Sequence, residues 1–463
     1  MMDMKIDRYD HLQALLLSGQ VEACRAFLAS RYEADKSSVE YWYWVLQTNY
    51  RSGRFLEALD IGFKLMREAR AFGMYFHCLV DICAHLGVKD LALSALDILA
   101  SRPEFDANTS HYIRLAGYHY LGEDDMVQSL PCDASTNHAY LHRHFRARSL
   151  MRCNGIAAAV GEFHDSYCSH QALAELFPDQ DATHYWCGQR QLPASLRISG
   201  ISSGFGDFVQ WIRYGRALQA LGVKIHWDEA FNSIGKHEPL NEHDRYLAGQ
   251  LERAGFAHDR EASNMWTTPF ALFSSLFPIL GYASSSRYLA PRQGIEVQQL
   301  ASEIRRRARG RKCMGIFWSS CESNNLYAAR SLTYEQLSPL WETRDDIYWL
   351  VMQRGHERAR WMGDPHSSDE QLCINLPENF SLSKTIGILD LLDGFVGNDG
   401  VLAHASGALG KPGNLLLNAA CSDWRYEQSS GSSPWYSNLN VMRANKMGAW
   451  PTVVAKLSTL LSA

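Results

Sequence analysis

Four glycines, Gly19, Gly53, Gly87 and Gly122, recur at intervals of 34, 34 and 35 residues, and no other feature narrows the fold as sharply. Seven positions before each stands an apolar residue (Leu12, Leu46, Val80, Leu115), and five positions after stands a small or apolar one (Cys24, Ala58, Ala92, Val127). A helix that must turn back on itself ends best on a residue able to adopt the left-handed conformation, which glycine does without a Cβ clash. The spacing predicts a stack of helical hairpins in which the residue five positions on packs the second helix against the first. Glycines also follow unrelated helices, but near-identical intervals with matching flanks favour a repeat over coincidence.

The period is that of tetratricopeptide repeats, so residues 1–135 are expected to form a tetratricopeptide-like array. Residues 136–192, with HRHFRARSLMR and AAAVGEFHDSYCSHQALAELF, keep a helical pattern while the register fades, and read as connecting helices. From Leu196 the period changes: LRISGISSGFGDFVQWIRYGRALQALGVKIHW reads strand, glycine turn, helix, turn, strand, one βαβ unit. A second series follows the basic stretch EIRRRARGRK, with the apolar runs MGIFWSS, IYWLVMQ, QLCINL, GFVGND and GNLLLN. The expected fold class is therefore α plus α/β, with two Rossmann-like lobes at 193–305 and 306–463 facing a cleft. Within the basic stretch, Arg305, Arg306, Arg307, Arg309, Arg311 and Lys312 read as a solvated helix face in preference to a diphosphate grip.

The formal charge of −5 is mixed along 463 residues, which argues against nucleic acid as a partner. Eleven cysteines are scattered without C-x-x-C pairs, so no metal site is expected, and the thiols suit a reducing compartment. The start MMDMKIDRYDH lacks a basic leader, and no apolar run reaches the ~18 residues of a membrane span. A cytoplasmic location is expected.

Three segments could carry chemistry. Gly204, Gly206, Asp207 and Gln210 lie where the first strand of the βαβ unit passes into its helix, the end of a parallel sheet at which ligands bind. Asp207 by itself reads as a helix N-cap. Asn398, Asp399, Gly400 and His404 follow a strand and open a small-residue helix, whose free amides suit an anion such as a nucleotide diphosphate. Asp399 would there orient a sugar or ribose hydroxyl, and His404 could donate a hydrogen bond or simply be a packed core histidine. The loop from Trp318 through Ser319 and Cys321 to Arg330 offers a guanidinium that can fork onto phosphate.

In order, SGFGDFVQWIRYGRALQALGVKI, GIFWSS with ARSL, IYWLVMQRG, NDGVLAHASGALGKPGNLLLN and SDWRYEQSSGSSPWY resemble the heptosyltransferase family and its tetratricopeptide-linked bacterial relatives, glycosyltransferases of the GT-B fold. The resemblance spans about residues 195 to 460. It implies a nucleotide-sugar donor and no further cofactor, with Asp207 as the base toward the acceptor hydroxyl and Gly204 and Gln210 on the acceptor side. It also implies a donor site formed by Gly206, Ser319, Arg330, Asn398, Asp399, Gly400 and His404, with Trp424 and Arg425 beside the nucleotide. Transfer would be an inverting displacement that arginine, histidine and amides support without a metal. The sequence departs at Gly400, where relatives carry threonine or serine, and in the Trp318 loop, which lacks their histidine. A protein acceptor held partly by the array is the leading expectation. A lipopolysaccharide-core acceptor, with peripheral membrane association, and an inactive scaffold are the alternatives.

Overall fold

The computed structural model describes residues 9–17, 20–67, 76–131, 139–177, 180–199, 204–227, 257–258, 263–283, 287–291, 293–320, 326–343, 345–420, 423–426 and 431–462. Its first part is a series of antiparallel helix pairs: α1 (Asp10–Leu17) with α2 (Val21–Asp35), α3 (Val39–Arg51) with α4 (Phe55–Arg67), α5 (Phe76–Leu86) with α6 (Lys89–Ala100), and α7 (Ala107–Leu121) with α8 (Asp124–Ser129). Gly53, Gly87 and Gly122 close the first helix of three pairs with φ of 72°, 75° and 79°; Gly19 lies outside the described residues. All eight flanking positions are buried, from Leu12 and Cys24 to Leu115 and Val127, because each faces the partner helix of its hairpin.

A fifth pair follows, α9 (Ala139–Asn154) and α10 (Val160–Cys168), turned at Gly155 with φ of 84°. The turn glycine thus recurs once more, 33 residues after Gly122, where the sequence reading had the register fade. Arg148 occupies the position of the apolar residue before the glycine and hides the repeat; Val160, five positions after it, is buried as expected.

The turn glycines also seat the hairpins on the rest of the chain. A Cβ at Gly53 would stand 3.1 Å from the His356 ring, one at Gly87 3.0 Å from the Met447 carbonyl oxygen, and one at Gly122 3.3 Å from that of Ala419. Each glycine therefore serves both a left-handed turn and a close backbone approach.

After α11 (His170–Leu176), a parallel sheet is formed by β1 (Ser195–Ile198), β2 (Lys224–Trp227), β3 (Ala257–His258) and β4 (Trp266–Thr267) in the order β3-β2-β1-β4. Helix α12 (Phe205–Ala220) joins β1 to β2, as the βαβ reading requires, and α13 (Pro269–Leu280) follows β4. Helix α14 (Ile295–Ala308) leads to a six-stranded sheet of β5 (Lys312–Phe317), β6 (Ile347–Val351), β7 (Cys373–Asn375), β8 (Gly394–Asn398), β9 (Gly413–Leu417) and β10 (Leu439–Arg443). All its strands are parallel in the order β10-β9-β8-β5-β6-β7, the doubly wound pattern, whose direction of winding reverses between β5 and β8. Helices α15 (Ser338–Thr343), α16 (Gly355–Met362), α17 (Leu382–Leu391), α18 (Val401–Ala408) and α19 (Trp450–Ser462) complete this part.

Two differences from the sequence reading concern this sheet. Strand β10 was not foreseen, because LNVMR is a short edge strand with no long apolar run. Helix α14 packs on β5, β6 and α17, so a boundary at 305/306 falls inside it. One hydrophobic core includes Leu196 and Phe208 from the first sheet's layer and Leu415 and Val441 from the second sheet. Among the described residues no helix is long and apolar enough to cross a membrane.

Replacing Gly87 by alanine should lower the melting temperature more than Gly222→Ala does. Both residues have positive φ, 75° and 89°, but nothing lies within 4 Å of a Cβ at Gly222. The left-handed backbone alone costs about 1–2 kcal/mol, and the excess measured at Gly87 reports its contact with Met447. Equal losses would mean that contact has no weight.

Candidate functional site

In a doubly wound sheet ligands bind beyond the carboxyl ends of the strands where the order reverses. Here those ends are Phe317, continuing into Trp318, Ser319 and Ser320, and Asn398, continuing into Asp399, Gly400 and α18. Arg330 reaches this point and donates to the Asp399 carboxylate at 2.9 Å and to its carbonyl oxygen at 3.0 Å. The buried amide of Asn398 donates to Ser320 Oγ at 2.9 Å and to the Arg330 carbonyl at 2.7 Å, fixing the loop to the strand end. Arg330, Asp399, Asn418 and Asp423 line a small cavity at this point.

Burial raises the Asp399 carboxyl above its ordinary range despite the adjacent Arg330. Ser319 does not face this group: its amide donates to Gln353 Oε1 at 2.9 Å and its hydroxyl to Ser331 Oγ at 3.2 Å. Ser320, its neighbour, contacts the Asp399 carbonyl and corrects that assignment. Residues 321–325 lie outside the described residues.

Across from this group, Asp207 sits in the first turn of α12. Gly204, and not Asp207, is the N-cap: Asp207 is the third residue of the helix, its Oδ2 accepts from the Gly204 N–H at 2.8 Å, and its Oδ1 accepts from Arg425. Arg425 donates to Asp423 as well and is only 3% exposed, with its guanidinium over the rings of Trp424 at 4.9 Å and Trp211 at 5.3 Å. Burial alone would raise the Asp423 carboxyl, but Arg425 holds it down at about 2. The result is a row of alternating charge, Asp207, Arg425 and Asp423, leading to the Arg330–Asp399 pair.

Several expected contacts are not made. Trp424 is 1% exposed and packs against Trp211 and Phe163, with centroids at 6.1 and 5.1 Å, so it presents no face to a nucleotide base. Gln210 is fully buried, and its amide has no partner among the described residues, which removes it from an acceptor surface. Gly206 has a packing reason to be glycine, since a Cβ there would stand 2.9 Å from the His404 ring. Gly400 has none of that kind: its φ of −177° is extended, and a Cβ would meet Phe317 at an ordinary 3.5 Å. The serine or threonine of the resembling family would fit.

His404 is buried, with Nδ1 3.2 Å from the Tyr436 hydroxyl and Nε2 3.9 Å from Asp399 Oδ1. Burial, followed by the nearby Arg425, pushes it down to about 3, so it is a neutral hydrogen-bonding group and not a cation. The basic stretch stays apart: Arg305 forks onto Asp393 at 2.6 and 2.8 Å, and Arg306 and Arg307 pair with Glu303.

The helical hairpins hold the Arg330 loop directly. Asp81, fully buried on α5, accepts from the amides of Ala328 at 2.9 Å and Ala329 at 2.8 Å and from the Tyr50 hydroxyl. His85 Nδ1 lies 2.8 Å from the Ala328 carbonyl, and Tyr327 donates to the Tyr50 carbonyl. Sequence reasoning missed Asp81, although a lone acid within the apolar helix FHCLVDICAHL was the available signal.

No family model matches the chain, and no curated protein matches it. Among solved structures it is similar to the E. coli heptosyltransferase WaaC with ADP, at 15% identity over 58% of this chain and 97% of that one, with a TM-score of 0.32. It is also similar to the glycosyl transferase family 9 protein of Veillonella parvula DSM 2008, at 12% identity over 59% and 98%, with a TM-score of 0.37. An O-GlcNAc transferase mutant of Thermobaculum terrenum aligns over 92% of both chains at 13% identity and a TM-score of 0.27. These are loose superpositions, and the chemistry rests on the residues above.

Because His404 is charged at neutral pH in neither state but takes up a proton first when unfolded, stability falls as pH drops from 6.5 toward about 3. The slope from this group approaches about 1.4 kcal/mol per pH unit, and His404→Gln should flatten the melting temperature against pH across that window. A second variant probes the hairpin contact. Asp81→Ala leaves two buried amides without an acceptor, at about 1–3 kcal/mol each, and should lower the melting temperature several degrees more than Asp81→Asn, which keeps one acceptor.

Proposed function

We propose that this chain is a glycosyltransferase that moves a sugar from a nucleotide-sugar donor to a hydroxyl acceptor. The observation that carries the reading is the meeting of Arg330 and Asp399, at the winding reversal of the second sheet, with the Asp207–Arg425–Asp423 row that opens α12. Two guanidinium groups and the first amides of α18, which Gly400 leaves without a side-chain cap, converge where a diphosphate would lie. In this division the hairpins bind an acceptor, the first sheet with α12 supplies the acceptor side, and the second sheet with α14 packed on it supplies the donor side.

In the reaction Asp207 takes the proton of the acceptor hydroxyl as its oxygen bonds to the anomeric carbon. The bond from that carbon to the diphosphate oxygen breaks, and the growing negative charge is met by Arg330, the α18 amides and a hydrogen bond from neutral His404. Attack opposite the leaving group inverts the anomeric centre. The acceptor hydroxyl donates to a remaining lone pair of the Asp207 carboxylate, whose oxygens also accept from Gly204 and Arg425.

A protein acceptor is supported by the series of stacked hairpins, since arrays of this kind offer an extended binding surface. The reading as a binding scaffold without turnover is favoured by one observation, that Asp207 and Asp399 are both engaged by arginine.

Thermal stabilisation by a panel of nucleotide diphosphates and nucleotide sugars tests the donor site, because saturation at 100 times the dissociation constant adds about 2.7 kcal/mol. A shift with one nucleotide, lost in Arg330→Ala, is expected; no shift with any overturns the reading. Asp207→Asn should keep that shift while turnover falls about 10²-fold or more. A shift in the native chain with no donor consumption in the presence of protein or lipid-linked acceptors would establish the scaffold.

A further inference from the structure

Away from both charged groups, a second cluster forms where α10 meets the segment leading into β1. His164 and Cys168 stand four residues apart on one face of α10. Cys187 comes to them from the segment before β1, and one donor atom from each of the three lies within 4.8 Å of the others. Gly188, with φ of 90°, allows this approach, because a Cβ there would stand 3.0 Å from Ser275 on α13. Spacing concealed the group, since H-x-x-x-C is joined by a cysteine 19 residues further on.

We propose that His164, Cys168 and Cys187 bind one zinc-class divalent ion, with the fourth position taken by water beside the Ser274 hydroxyl. Two thiolates and an imidazole form a donor set that zinc prefers. At Zn–S about 2.3 Å and Zn–N about 2.1 Å, tetrahedral ligands stand about 3.6 Å apart, and Cys168 Sγ lies 3.6 Å from His164 Nδ1. Ser274 Oγ is 3.0 Å from the same nitrogen and is the neighbouring oxygen available to a bound water. Outside the donors, Gln189 accepts the Cys187 amide at 2.9 Å and turns its own N–H toward Cys187 Sγ at 3.7 Å, the kind of support that orients a ligand.

Binding releases the thiol protons to solvent and involves no oxidation or reduction. The ion would staple α10, whose Phe163 packs on Trp424, to the segment that starts the first sheet.

The inference is independent of the proposed activity and is tested on the reduced, tag-free full chain. After loading with Zn2+ and dialysis, elemental analysis should find about one ion per chain, and Co2+ in its place should give a sulfur-to-cobalt charge-transfer band. Cys187→Ser and His164→Ala should lose both signals, whereas Cys153→Ser, at an exposed free thiol, should keep them. Chelation should lower the melting temperature of the native chain and leave that of Cys187→Ser unchanged. No retained ion, a cobalt spectrum without the sulfur band, or a Cys168–Cys187 disulfide whose reduction restores no metal uptake would overturn the proposal.

Discussion

The guanidinium of Arg425 is a positive charge removed from water, and much of the surrounding structure follows from keeping it paired. An isolated buried cation costs several kcal/mol, so Arg425 needs its carboxylates. It finds Asp423 two residues away and Asp207 at a separation of 218 residues, on the helix that leaves the first sheet. The rings of Trp424, Trp211 and Phe270 cover its face and exclude water, which strengthens both pairs. Phe163 brings α10 into the same cage through Trp424 and Phe270. Hairpins, first sheet and second sheet therefore converge on one charge, and removing either carboxylate would leave that charge only partly compensated.

The hairpins meet the second sheet through a different chemistry. Gly53, Gly87 and Gly122 bring backbone against His356, Met447 and Ala419 at distances where an added Cβ would crowd the neighbour. Asp81 adds direction, because a carboxylate accepting two consecutive amides fixes the orientation of the peptide that carries them. That peptide precedes Arg330 by a single residue. The array is thus a wall of the site as well as a surface beside it, and anything that shifts α5 also shifts the guanidinium at the winding reversal.

What could be read from the sequence was whatever depends on period or on backbone conformation. The glycine interval, the βαβ unit after Leu196 and the helix after Asp399 all follow from local rules that one segment satisfies alone. Strand β10 escaped because a short edge strand carries little periodic signal. Trp424 was placed beside the nucleotide only by its position in the resembling SDWRY segment, while its burial is decided by Phe163 and Trp211, distant in sequence. Ser319 and Ser320 are indistinguishable in a loop until Gln353 and Ser331 engage the first. The His164, Cys168 and Cys187 group needed a turn at Gly188 that brings a third donor from another segment.

Charge balance gives the candidate site a character that its sequence did not disclose. The row from Asp207 to Asp399 contains two guanidinium groups and three carboxylates, and neutral His404 adds no positive charge. Two further guanidinium groups, Arg148 and Arg443, act on the same carboxylates. Asp423 and Asp399 do not resist protonation equally: Arg425 holds the first ionised, while burial raises the second. The two carboxyls therefore differ in their surroundings: Asp423 is held by a guanidinium of its own segment, while Asp399 is enclosed with Arg330 where the helix start at Gly400 and the Asp81-held loop come together.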